Sequence, residues 1–189
     1  DKFKISDALM SIYKLVWDDF CSWYLEMIKP GYQHPIDSKT LETTKDFFEK
    51  LLKLLQPFTP FIAEEIWHLI RERQEGEDIV IAPWPTVGEI NQNSLDCFKR
   101  TEEIIIGLRN IRNQNNIANK VKMELFVKKN NDFDTSFDCV VVKMGNLISM
   151  EYTTEKVANA NSFIVLNNEY YVPFGDSIDV EAEKAKMQE

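Results

Sequence analysis

The chain has 189 residues, of which 44% are hydrophobic and 12% aromatic. This composition is typical of a folded globular protein rather than a disordered one, and the length allows one large domain or two small ones. The formal net charge of −9 is not the usual mark of a nucleic-acid-binding protein, but residues 94–129 carry eight basic and four acidic side chains, a local net charge of +4. Contact with phosphate is therefore expected first in that stretch.

The three cysteines, Cys21, Cys97 and Cys139, are few and far apart. They argue against a disulfide framework or a zinc site and for a reducing compartment, so a cytoplasmic location is predicted. His34 and His68 are equally isolated, and no metal site is predicted. No apolar run approaches the roughly 20 residues of a membrane span, so no membrane partner is expected. Because the chain begins at Asp1 without Met or a signal peptide, we interpret it as a piece of a longer protein.

Apolar periodicity predicts three helices in the first half of the chain. The first begins at the N-cap Ser6 and ends at Pro30-Gly31; the second runs from about Thr40 to Pro57. The third begins at Thr59-Pro60, where proline suits the first helical position. The side chains expected to face inward are Leu9, Tyr13, Val16, Phe20, Trp23, Met27, Leu41, Phe48, Leu51, Leu52, Leu55, Ile62, Ile66, Leu69 and Ile70.

A connector over residues 76–93, with a β-like piece at 79–81, leads into a fourth and longer helix. That helix is predicted from about Ser94 to Asn115. Its inward residues would be Leu95, Phe98, Ile104, Ile105, Leu108 and Ile111. Four helices with apolar stripes predict an antiparallel helical bundle over residues 1–118.

After Lys120 the apolar period changes from 3.6 to 2, which predicts a strand over 121–127. Residues 137–148 return to helical spacing, and Asn167-Asn168 predicts a two-residue hairpin turn between two short strands. From Ser177 the sequence is charged and helix-forming. The predicted fold class is α+β, mainly α: the bundle, a small α/β subdomain over 119–175, and the start of a C-terminal helix over 176–189.

The sequence contains no glycine-rich phosphate loop and no nucleophile motif around a serine, cysteine or histidine. Its paired acids are adjacent in the chain, so they point in different directions on a helix and fit a solvated surface. The chain alone is therefore not expected to be catalytic.

Polar and basic residues follow the apolar face of the long helix at helical spacing and continue beyond its end. These candidate RNA-binding residues are Arg109, Arg112, Asn113, Asn116, Lys120 and Lys122. Guanidinium and amide groups can bind phosphates or base edges in a forked geometry. Alternatively, the same face bridges the bundle to the following domain, and spacing does not decide between the two.

Four aromatic residues, Trp17, Trp23, Tyr24 and Trp67, could stack on unpaired bases. A place in the core of the bundle is the commoner role for tryptophan at helical spacing.

Several segments together resemble the helical anticodon-binding domain of class I aminoacyl-tRNA synthetases. They are LVWDDFCSWYLEMIK at 15–29, LLKLLQPFTPFIAEEIWHLI at 51–70 and APWP at 82–85. Two more segments are similar to the valine-specific members: IIIGLRNIRNQNNI at 104–117, the helix leading out of the bundle, and IDVEAEKAK at 178–186, the start of a coiled-coil arm. The chain departs from the family at Ala118-Asn119, where a proline is common.

The resemblance implies a module that binds the anticodon region of a valine-accepting tRNA. The parent enzyme would use ATP and Mg²⁺ to activate valine and charge the tRNA, and would carry an editing domain against threonine. The H-I-G-H-like and K-M-S-K-S-like signatures of the catalytic site are absent from this chain. No cofactor is therefore expected here, and the expected partners are tRNA and the enzyme's own catalytic and editing domains. The alternatives are the equivalent domain of another class I synthetase, such as the isoleucine or leucine enzyme, or a helical protein-interaction module.

Overall fold

A computed structural model describes residues 4–128 and 135–173. Helices occupy most of the first 114 residues, and a four-stranded mixed sheet follows. The predicted α+β, mainly α fold class is confirmed. The chain divides into two compact units, residues 1–89 and residues 90–189. The C-terminal helix predicted over 176–189 lies outside the described residues.

The first unit is built from helical segments. They are α1 (Ile5–Lys14), a π-helix (Leu15–Tyr24), α2 (Leu25–Ile28), α3 (Ser38–Leu55), α4 (Pro60–Ile70) and a 3₁₀ turn (Ile79–Ile81). The N-cap prediction at Ser6 is wrong, because the N-cap is Lys4, two residues earlier, and it makes no side-chain cap hydrogen bond. The β-like prediction at residues 79–81 is also wrong, since the three apolar residues form the 3₁₀ turn.

The core of the first unit lies between α3, α4 and the 3₁₀ turn. Its buried members are Leu52, Ala63, Trp67 and Ile79. The inward face predicted for α4 is partly wrong, because Ile62 and Leu69 are 56% and 74% exposed. The buried residues of α4 are Ala63 and Trp67, which follow the predicted Ile62 and Ile66 by one position. Burial of Trp67 is completed by a hydrogen bond from its indole N–H to the carbonyl of Glu77 at 2.9 Å.

Two arginines that follow α4 fasten it to α3. Arg71 pairs with Glu42, Asp46 and Glu49 at 2.6–2.8 Å. The guanidinium of Arg73 lies 3.4 Å above the centroid of the Trp67 ring and also pairs with Glu49. The end of α4 is thus fixed by charge as well as by apolar burial.

The second unit begins with α5 (Gln92–Gln114) and continues into the sheet. Its other elements are β1 (Met123–Lys128), α6 (Asp138–Met144), β2 (Leu147–Thr153), β3 (Ala160–Val165) and β4 (Asn168–Pro173). The strand order is β2-β1-β4-β3. β1 is parallel to β2 and antiparallel to β4, and β3 and β4 form an antiparallel hairpin.

The helix α5 supplies one wall of the second unit's core. Its buried Ile104, Leu108 and Ile111 share an apolar cluster with Leu125 and Val127 of β1. This is why the compact units divide at residues 89 and 90, whereas helical periodicity predicted a bundle that includes α5 and ends near residue 118. The functional division at 118 stays a prediction.

The hairpin predicted at Asn167-Asn168 is present, displaced by one residue. Asn168 is buried and pairs with Val165 in the ladder, so the two turn residues are Leu166 and Asn167. Leu166 has a φ of 51°. No helix in the described part of the chain is long and apolar enough to cross a membrane.

Candidate nucleic-acid interface

The candidate site lies where α5 ends and the chain turns toward β1. We call residues 115–122 the exit loop. Asn116 adopts a left-handed φ of 51°, a conformation that asparagine tolerates better than most residues. The amide of the next residue, Ile117, donates to the carbonyl of Arg112 at 2.8 Å, which closes the helix.

Arg112 lies beneath this loop rather than on the surface. Arg112 is only 5% exposed. One terminal nitrogen donates to the carbonyls of Ala118 and Val121 at 3.2 and 2.7 Å, and the other donates to those of Gly145 and Asn146, both at 3.1 Å. Burial lowers the pKa of this guanidinium, but the four carbonyl dipoles solvate its charge. The geometry favours the bridging role that the sequence left open for this arginine.

A second contact ties the exit loop to the turn before β2. The side-chain amide of Asn146 donates to the carbonyl of Asn119 at 2.6 Å. Asn146 itself has a left-handed φ of 49°. Carbonyls at three of four consecutive loop positions therefore accept hydrogen bonds from side chains outside the loop.

The other five candidate residues are exposed: Arg109, Asn113, Asn116, Lys120 and Lys122. Arg109 and Asn113 lie four positions apart on α5, so they share one face of the helix. The remaining three belong to the exit loop. This surface offers cationic and amide donors of the kinds that contact phosphates and base edges.

The candidate stacking residues differ in exposure and in packing. Trp67 is 5% exposed, so its predicted place in the core is confirmed. Tyr24 packs between Phe20 and Phe47, with ring centroids at 5.5 and 5.3 Å. Trp17 is 58% exposed and stacks on Tyr13 at 6.4 Å, which leaves it as the most accessible of the aromatics discussed.

One cluster was missed by the sequence reasoning, which treated His68 as isolated. The imidazole Nε2 of His68 lies 3.1 Å from a carboxylate oxygen of Glu64 and 3.5 Å from one of Asp78. The same Glu64 oxygen accepts the N–H of Ile79 at 3.1 Å, so the cluster pins the 3₁₀ turn to α4. The spacing of four between Glu64 and His68 was the available signal. The three donor groups are close enough to hold a metal ion, but mutual pairing accounts for their proximity.

A family model described as the anticodon-binding domain of tRNA ligase matches residues 1–127. The chain belongs to this family. The matched region of the anticodon-binding domain includes the first compact unit, α5, the exit loop and most of β1. The domain's likeness to known proteins therefore extends across the candidate interface.

Curated relatives of this anticodon-binding domain carry the name valine–tRNA ligase. The protein from Christiangramia forsetii is 48% identical over 188 residues, and that from Parabacteroides distasonis is 49% identical over 188 residues. A more distant relative from Fervidobacterium nodosum is 32% identical over 192 residues. Each match covers 100% of this chain but only 21–22% of the ligase. The chain thus spans about a fifth of the length of the relatives that it matches.

Proposed function

We propose that the chain is the tRNA-binding C-terminal portion of a valine–tRNA ligase. The observation that carries this proposal is the match of the whole chain to part of proteins of that name, joined to the family match over residues 1–127. In this role it binds the anticodon region of a valine-accepting tRNA in the cytoplasm. Catalytic domains outside the chain use ATP and Mg²⁺ to activate valine, and an editing domain outside it removes threonine.

The proposed functional regions of the chain have the boundaries predicted from the sequence. Residues 1–118 form the anticodon-binding domain, residues 119–175 the small α/β subdomain and residues 176–189 the start of a coiled-coil arm. The family match continues past residue 118, and in this proposal the exit loop and β1 support the anticodon-binding domain.

The proposed RNA contacts are the exposed residues at the end of α5 and in the exit loop. They are Arg109, Asn113, Asn116, Lys120 and Lys122. Arg112 belongs to the set predicted from the sequence, but its burial under the loop favours an indirect role. The net charge of +4 over residues 94–129, within a chain of net charge −9, supports binding that is local and electrostatic.

Titration of the 189-residue chain with an in vitro transcript of a valine-accepting tRNA tests the proposal. We expect dissociation constants of tens of micromolar or weaker, within the range of roughly 10⁻⁴–10⁻⁶ M typical of electrostatic binding. Binding should weaken steeply between low and physiological salt, and a transcript with a changed anticodon should bind less well. A chain that binds no tRNA at low salt, or binds both transcripts tightly and without salt dependence, contradicts the proposal.

Matched charge-removal variants localise the contact. Substituting Lys120→Ala together with Lys122→Ala should reduce the salt slope by about 2, because each lysine–phosphate contact contributes about 1. The control, Lys14→Ala with Lys39→Ala, removes the same charge from exposed positions on α1 and α3. Equal losses in the two variants would place the contact outside the exit loop.

A further inference from the structure

One buried charged side chain, that of Arg112, donates hydrogen bonds to the backbone of the exit loop. Arg112 is 5% exposed, so tRNA on the surface does not reach its guanidinium. The planar fork of this group meets four carbonyls, two in the exit loop and two in the turn at Gly145 and Asn146. A lysine ammonium in its place has its three N–H donors on one nitrogen and does not reproduce a fork with two terminal nitrogens.

The two segments that Arg112 joins are distant in sequence. The turn at residues 145–146 comes between α6 and β2, whereas the exit loop precedes β1. Asn146 adds a second link through its amide to Asn119, and its own backbone N–H bonds to Lys143. The carbonyls of Ala118, Asn119 and Val121 are therefore all engaged, while Lys120 and Lys122 remain exposed.

The exit loop has an ordered backbone and carries the exposed Lys120 and Lys122, and this has a consequence for tRNA binding. Loop residues that are ordered before tRNA arrives lose less conformational entropy on binding, so more of the contact free energy is expressed as affinity. We propose that Arg112 is a positioning residue for tRNA: it holds the exit loop in the form in which Lys120 and Lys122 meet the phosphates. This inference rests on the proposed tRNA-binding function and assigns Arg112 no contact with RNA.

The decisive variant is Arg112→Lys, which keeps the positive charge and removes the fork. We expect tRNA to bind this variant about three- to tenfold more weakly than the wild type, which corresponds to about 0.7–1.4 kcal/mol. Amide hydrogen exchange at residues 116–122 of the free protein should become faster. Binding equal to wild type would overturn the proposal, because charge alone would then suffice.

A double-mutant cycle separates positioning from general stability. If Arg112 acts through the lysines, the triple variant Arg112→Lys, Lys120→Ala, Lys122→Ala should bind no more weakly than the double lysine variant. Independent, additive losses would overturn the proposal. Melting temperatures and helical circular dichroism of every variant identify any that lose their fold.

Asn146→Gly provides a milder variant should Arg112→Lys disturb the fold. Glycine adopts the left-handed φ of residue 146 without strain and leaves the carbonyl that Arg112 contacts, so only the tie to Asn119 is lost. We expect about twofold weaker tRNA binding with faster loop exchange. Faster loop exchange without any loss of tRNA binding would overturn the proposal, because order in the exit loop would then not contribute to affinity. Failure of the wild type to bind tRNA would instead refute the proposed function, and the exchange data would still report whether Arg112 orders the loop.

Discussion

Asp37 determines where α3 begins. Its carboxylate accepts the backbone N–H of Thr40 at 2.9 Å, which satisfies one of the unpaired donors at the helix N-terminus. Hydrogen bonds from the side chain and then the backbone of Thr40 lower the pKa of Asp37. The predicted start at about Thr40 missed this cap, because Asp37 precedes the first apolar residue of the stripe by four positions.

The lowered pKa makes the cap sensitive to acid. At pH values between the ordinary value of 3.8 and the lower folded pKa, the unfolded chain binds more protons at Asp37 than the folded chain does. The contribution of the cap is therefore complete above about pH 5 and is lost as the pH falls through that window. Asp37→Asn keeps a good cap that does not titrate.

Urea unfolding of wild type and Asp37→Asn, from about pH 6 to about pH 3, measures this difference. We expect the free energy of unfolding of the wild type to fall relative to that of the variant as the medium becomes more acidic. A difference that stays constant over the whole range would mean that Asp37 has the same pKa in both states.

The candidate site could be predicted at the residue scale only in part. Helical spacing and local positive charge selected the five exposed residues as candidates, since charge and period are properties of the sequence. They did not separate Arg109 from Arg112, because burial of Arg112 depends on the turn at residues 145–146, which folds back from more than 30 positions away. The cluster of Glu64, His68 and Asp78 was missed for a related reason. Asp78 lies in the connector, ten positions after His68, and comes close to it only in the folded chain.

At the scale of elements, the one glycine of α5 lies against β3. A Cβ added at Gly107 would lie 2.4 Å from a ring carbon of Phe163 in β3. Alanine at this position improves helix propensity by roughly 0.5–1 kcal/mol, but the clash moves the ring or the helix. We expect Gly107→Ala to be destabilising by about 1–3 kcal/mol, as overpacked cores usually are.

Chemical denaturation of Gly107→Ala, beside a control variant and a rescue variant, checks this expectation. Gly88→Ala places its Cβ in open space at a position without left-handed φ, so its stability should match the wild type. Adding Phe163→Leu to Gly107→Ala should recover part of the loss, because the smaller side chain makes room. A Gly107→Ala protein as stable as the wild type would mean that α5 and β3 are not in close contact.

Helix existence was easier to predict than helix type. The apolar spacing over residues 9–27 predicts an α-helix, yet Leu15–Tyr24 forms a π-helix. The hydroxyl of Ser22 donates to the carbonyl of Trp17, five positions earlier, at 2.8 Å, which follows the wider turn. Apolar spacing did not distinguish the two helix types, because the stripe fits a helix without specifying its hydrogen-bond register.

The strand β2 was the element missed altogether. Helical spacing was extended to Ile148, but the helix ends at Met144 and β2 begins at Leu147. Its pairing with β1 is parallel and depends on residues more than 20 positions away, such as Leu125 opposite Met150. β1 and the hairpin were predicted because alternation and turn residues are local signals.

At the scale of the whole molecule, the chain corresponds to about a fifth of the length of the valine–tRNA ligases that it matches. The family match and the missing synthetase signatures together predict that the isolated chain does not activate valine. Valine-dependent ATP–pyrophosphate exchange by the purified 22.1 kDa chain should remain at background. The same assay on a full-length valine–tRNA ligase is the positive control. Exchange that copurifies with the 22.1 kDa species, free of longer polypeptides, would contradict the prediction.

The order of strands in the sheet has a consequence during synthesis on the ribosome. β1 lies between β2 and β4, and it ends at Lys128, whereas β4 begins only at Asn168. At roughly 5–20 residues per second, β4 is made a few seconds after β1. Through that interval one edge of β1 has unpaired N–H and C=O groups, which are a template for pairing with other nascent chains. The helix α5 is made before β1, so its apolar side chains can cover one face of β1. The edge of β1 that pairs with β4 stays unpaired until β4 is made.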